Sequence, residues 1–126
     1  MASSELTRHN LIEIFLLTFP EFQDDFDRDS WGFTSPEIGV SQYYVFEVYL
    51  ARGVIVPGLL GEPEPIFFRG LRFFELMVDT SDPYVRDAAS QSVGSVLEFT
   101  EPEIRDAVHG SPHFSDELKS FIRNSY

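Results

Sequence analysis

Between Phe67 and Leu97, apolar residues recur at helical spacing on both sides of a single break. Phe67, Leu71, Phe74 and Val78 fall at i, i+4, i+7 and i+11, which is one face of a helix. Asp79-Thr80-Ser81 closes that run. Asp82-Pro83 then restarts the chain as a cap followed by proline at the first helical position, where the missing N–H loses no helix bond. Val85, Ala88, Ala89, Ser92, Val93, Val96 and Leu97 continue at i, i+3, i+4, i+7, i+8, i+11 and i+12. Two apolar faces joined by so short a turn must lie against each other, so residues 67–99 are predicted to form the central antiparallel hairpin.

The flanking segments also read mainly as helix. Ser4 is placed to cap a first helix whose apolar positions include Leu11, Ile14, Phe15 and Thr18, with Leu16 and Leu17 widening the stripe. Phe19-Pro20 ends it, because a residue before proline avoids the helical region. Pro20 opens a short turn to Phe26, and residues 27–40 read as a loop. A helix starting near Ser35 or Ser41 runs to about Arg52. Its Tyr43, Tyr44, Phe46 and Tyr49 cover more than one side, which fits either core packing or an exposed aromatic interface. Val54 to Gly58 reads as extended and Gly61 to Pro65 as a loop. Thr100 and Glu103 match a capping box for a short helix that stops at Gly110. A last helix starting between Ser111 and Ser115 places Phe114, Leu118, Phe121 and Ile122 on one face. The predicted class is all-α: one domain over residues 1–126, a compact bundle of five to six helices.

Composition narrows the function. The 126 residues contain no cysteine, which excludes disulfides, thiol nucleophiles and Cys-ligated metal centres. The net charge of −12 argues against direct binding of nucleic acid or an anionic membrane, since phosphate contacts need Lys and Arg. It favours a basic protein partner drawn in by long-range attraction, or simply keeps a chain with 13 Phe in solution. No stretch has the 18 or so apolar residues of a membrane span, and the acidic N-terminus does not match a signal peptide. The expected location is the cytoplasm.

Candidate motifs for chemistry are few. Asp25, Asp27 and Asp29 alternate like the first three ligand positions of a calcium-binding EF-hand loop. Ser30 and Pro36 then stand where that loop needs a glycine and a bidentate Glu. As a solvated patch, Asp24, Asp25, Asp27 and Asp29 beside Trp31 instead suit an Arg- and Lys-rich surface, and these five residues are the candidate partner-binding site. His109 and His113 are four apart, but Gly110 and Pro112 break the helix a metal pair would need. No Gly-x-Ser-x-Gly elbow or phosphate-cradling glycine loop occurs. The chain is therefore expected to be no enzyme and to need no cofactor or metal.

Two resemblances add to this. Asp82-Pro83-Tyr84-Val85-Arg86-Asp87-Ala88-Ala89 is similar to the second helix of a HEAT repeat, typically Asp-x-x-Val-Arg-x-x-Ala. That resemblance implies a helical hairpin whose exposed face binds proteins. Leu11-Ile12 through Phe19-Pro20-Glu21-Phe22, with Val96-Leu97-Glu98, resembles a family of small acidic bacterial proteins, many of which look like immunity proteins; Phe99 stands where that family tends to carry Asn. The resemblance implies an all-helical fold and neutralisation of a secreted or contact-delivered toxin. The expected function is thus a proteinaceous inhibitor that occludes the cleft of a basic toxin. The alternatives are a HEAT-like adaptor for a cellular protein, an enzyme built on a carboxylate in a deep pocket, and a DNA mimic with acids spaced like phosphates.

Overall fold

The chain enters its first helix later than its sequence suggests. The computed structural model describes residues 5–29, 43 and 45–124, with residues 27–29 described by their backbone alone. Helix α1 spans Leu11–Thr18 with Asn10 at its cap position. Ser4 lies outside the described residues, and residues 5–7 are not helical, so the expected start near Ser4 is replaced by one at Asn10. The Asn10 side chain accepts the Thr7 N–H at 2.7 Å, closing a local turn that competes with earlier helix. Phe19-Pro20 ends α1 as expected, and a tight turn over Pro20–Phe22 leads into α2, Gln23–Asp29.

Helix α3, Phe46–Ile55, is wound in wide, π-type turns and runs directly into α4, Val56–Leu60. Val54 to Gly58 is therefore helical, where an extended segment was expected. The Val56 N–H reaches back five residues to the Ala51 carbonyl, and Pro57 falls in the first turn of α4, where its ring is tolerated. Burial of Val54 and Ile55 outweighs their β-branched preference.

Helix α5, Pro65–Asp79, and α6, Pro83–Ala88, form the expected hairpin. From α6 the chain continues helically through Ala89–Gly94 and Val96–Thr100, again in wide turns, and α5 packs on both α6 and Ala89–Gly94. Asp82 caps α6, accepting the Tyr84 N–H at 2.8 Å. The expected capping box at Thr100 does not form. Thr100 completes the preceding stretch, and Glu101 takes the cap position of α7, Pro102–Gly110, with no side-chain cap bond. Ser115 caps α8, Asp116–Arg123, accepting the Leu118 N–H at 3.1 Å. Among the described residues the fold is all-α, without strands, and is cut into shorter segments than five or six helices. None of these helices is long and apolar enough to cross a membrane.

Most of the phenylalanines are spent on one core. Phe15 meets the rings of Phe19, Phe46 and Phe73 at 5.1, 5.2 and 5.4 Å, tying α1 to α3 and α5. Phe46 and Tyr49 are buried and Tyr43 is half-buried, which favours the core reading of their helix over the interface reading; Tyr44 lies outside the described residues. Two glycines let helices approach closely. A Cβ on Gly70 would lie 2.5 Å from Val54, and one on Gly58 would lie 2.4–2.6 Å from three atoms of Phe67. In an open helix, Gly→Ala gains up to about 1 kcal/mol. Here the near atoms include the Cβ of the buried Phe67, which has no room to retreat. Gly58→Ala is accordingly expected to destabilise the fold by about 1–3 kcal/mol, read as a lowered urea midpoint at constant slope.

The segment before α1 is strapped across the α5–α6 turn. Leu6 is fully buried, and its carbonyl accepts from Thr80 Oγ1 at 2.5 Å. Glu5 accepts the Ser81 N–H at 2.5 Å, and Asp82 accepts the Arg8 N–H at 2.8 Å. The Ser81 backbone bond holds the Glu5 carboxyl below its ordinary range, and the Arg8 bond does the same for Asp82. A carboxyl depressed in the folded state stabilises the fold above its unfolded pKa and loses that contribution as pH falls through the folded one. Hydrogen exchange at the Ser81 and Arg8 amides, taken relative to the intrinsic rate at each pH, should therefore be faster below about pH 4. Asp82→Ala should show the faster exchange already at pH 7.

Candidate binding surface

The five residues singled out from sequence are only partly placed. Asp24 is exposed on the first turn of α2. Asp25 is half-buried and already has a partner within the chain. Asp27 and Asp29 are placed by their backbone in α2, which extends helix into the expected 27–40 loop. Trp31 lies outside the described residues.

A different surface combines apolar exposure with surplus acid. A groove of about 360 Å³ opens between the end of α4, the start of α5, the end of α7 and the loop after it. Phe67 forms its floor, and Gly58, Ala107 and Gly110 are its small-residue walls. Pro63 and His113 stand at its rim. The His113 ring lies edge-to-face with Phe68 at 5.0 Å. Phe68 is 44 % exposed and Leu60 45 %, which are large values for apolar side chains.

The acids around this groove follow from local sequence. Glu62 and Glu64 bracket Pro63 in the α4–α5 loop and are exposed. On α7, Glu103, Asp106, Ala107 and Gly110 stand at i, i+3, i+4 and i+7, so two carboxylates share the helix face that lines the groove. Arg105 projects about 200° away from Ala107 around that helix. It makes only a loose contact with Asp106, 3.9 Å long and solvent-exposed. Among the described residues, Glu62, Glu64 and Glu103 have no ion-pair partner, and no Arg or Lys lines the groove.

Two further polar clusters frame the molecule. Glu98 is nearly buried and faces His109, with both carboxylate oxygens 3.4 Å from Nε2. Lys119 Nζ donates to the His109 carbonyl at 3.0 Å, satisfying a backbone acceptor at the end of α7. His109 and His113 thus diverge, one toward Glu98 and the other toward Phe67 and Phe68. At the C-terminal end of α5, Glu75 and Asp79 line a second cleft with Glu117 of α8. Among the described residues, acid is therefore distributed over several faces.

Sequence reasoning passed over the groove because its lining is mostly glycine, alanine and proline, which carry no chemistry alone. The available signal was the spacing of Gly58, Gly61 and Gly110 around unusually dense Phe and Pro. Comparison with protein-family models, with curated proteins and with solved structures finds no match to this chain.

Proposed function

We propose that this chain is an immunity-type inhibitor that binds a basic toxin in the cytoplasm and covers its active cleft. The observation carrying this reading is the groove over Phe67, which no Arg or Lys lines, between two segments that carry exposed acids: Glu62 and Glu64 in the α4–α5 loop and Glu103 and Asp106 on α7. Such a surface gains by being covered. Exposed Phe68 and Leu60 supply anchors that slow dissociation, while the rim carboxylates pair with Arg and Lys and speed encounter. The exposed Asp24 and the net charge of −12 add to the long-range attraction. The mechanism is steric and electrostatic and requires no bond-making chemistry.

The packing of α5 on α6 and its continuation favours one second reading, a HEAT-like adaptor for an ordinary cellular protein. Growth separates the two. The product of each gene adjacent to this one is expressed in a bacterial host, with and without this chain. An immunity protein restores growth against one toxic product and co-purifies with it. If no neighbouring product is toxic, or if toxicity persists despite soluble co-expression, the immunity reading fails and the adaptor reading takes its place.

A further inference from the structure

A cleft of about 670 Å³ lies between the end of α5, α6 with its helical continuation, and α8. That volume falls within the roughly 300–1,000 Å³ of small-molecule sites. Glu117, Ser120 and Phe121 stand at i, i+3 and i+4, so one face of α8 supplies one wall. Arg86 enters from α6, and Val78, Asp79 and Thr80 close the cleft at the end of α5. Thr80 Oγ1 is committed to the Leu6 carbonyl, which fixes that wall. Phe121 packs edge-to-face on Phe74 at 6.1 Å and, with Val78, gives the cleft a rigid apolar surface. The cleft shares no lining residue with the groove over Phe67. It adjoins the cleft at Glu75, with Asp79 and Glu117 common to both.

Arg86 is a cation whose acidic neighbours are already engaged. Asp82, one turn earlier, accepts the N–H groups of Arg8 and Tyr84. Asp87, the next residue, accepts the Tyr43 hydroxyl at 2.6 Å. Among the described residues Arg86 makes no ion pair, and neither do Asp79 and Glu117, although all three line one cleft. Opposite charges that share a cleft without closing on each other leave room for a molecule that pairs with each. The lining carries one positive and two negative charges, so a simple anion is repelled and a diamine leaves Arg86 unmatched.

We propose that this cleft binds a free basic amino acid, a small molecule with one carboxylate and two cationic groups. The carboxylate pairs with the Arg86 guanidinium, whose planar fork matches it. The ammonium and the side-chain cation pair with Asp79 and Glu117, and the aliphatic stem lies on Val78 and Phe121.

The test is an amide-resolved NMR titration of the intact chain with L-lysine. Norleucine, which lacks the side-chain cation, and cadaverine, which lacks the carboxylate, are the comparisons. Lysine should shift the amides of Asp79, Arg86, Glu117 and Ser120 and bind roughly tenfold tighter than either comparison, the effect of one lost charge-assisted pair. Arg86→Gln should weaken lysine but not cadaverine, erasing the preference between them. Glu117→Gln should reduce the preference for lysine over norleucine. Both positions are exposed, so both variants should keep the native spectrum. Equal binding of the three compounds, shifts centred elsewhere, or no saturable shift with lysine overturns the proposal. A preference for lysine over cadaverine that survives Arg86→Gln overturns it as well.

Discussion

Phe15→Ala is expected to destabilise the fold by about 3–5 kcal/mol, a large share of the roughly 5–15 kcal/mol that holds a domain together. Phe15 is fully buried, and its ring contacts Phe19, Phe46 and Phe73 from three different parts of the chain. Removing it opens a cavity whose walls belong to α1, α3 and α5, so no single helix can shift to fill it. At about 4 °C per kcal/mol for a chain of this size, the melting temperature should fall by roughly 12–20 °C. Leu17 on the same helix is 74 % exposed, and Leu17→Ala should change stability by less than about 0.5 kcal/mol. Thermal melts of the pair measure how far α1 is held by its buried face. Equal, small effects would show that the aromatic cluster does not organise the fold.

The second large effect concerns association. Reversing Glu62, Glu64, Glu103 and Asp106 to Lys changes the charge by two at each position, taking the chain from −12 to −4. If a cationic partner is steered to this rim, its association rate at low salt should fall by about 10- to 1,000-fold. The difference should shrink as ionic strength rises and the screening length shortens to a few ångströms, about 3 Å at 1 M. Dissociation should change less, since rim charges act mainly on encounter and the apolar anchors on residence. Stopped-flow mixing across a salt series reads both rates. Asp25→Lys combined with Asp27→Lys, measured the same way, weighs the acids of α2 against those of the groove. A slowed rate with a flattened salt dependence assigns them a part, and unchanged rates remove α2 from the binding face.

Much of the fold was legible because helix faces and stops are local properties. The apolar spacing over Phe67–Val78 and Val85–Leu97, with Asp82-Pro83 between them, defines the hairpin and its cap. Ser115 as a cap and Phe114, Leu118 and Ile122 as a buried face follow from the same rules. The misread stretches have a common cause. Val54 to Gly58 looks extended by propensity, yet it is helical because Val54 and Ile55 are drawn into the core and Gly58 accommodates Phe67. The Thr100 cap fails because the buried Val96, Leu97 and Glu98 carry the preceding helix through Thr100.

The binding surface was less legible, because it is assembled from segments distant in sequence. Glu62 and Glu64 lie about 40 residues from Glu103 and Asp106, and the packing of α4 on α7 makes the segments that carry them the two sides of one groove. Surplus charge predicted a basic partner, but it could not say which of several acidic stretches surrounds exposed rings. The richness in Phe was a poor guide for a related reason. Phe15, Phe19, Phe46, Phe67, Phe73 and Phe74 are all interior, and among the described phenylalanines only Phe68 and Phe99 are strongly exposed.

Hydrogen exchange on the chain alone and in complex with the neighbouring toxin is the most direct measurement of where the partner sits. The account predicts slowed exchange in residues 58–68 and 103–113, the two stretches that border the groove, with little change over α8. Protection confined to the Glu75, Asp79 and Glu117 face, with residues 58–68 exchanging as in the free chain, would contradict it.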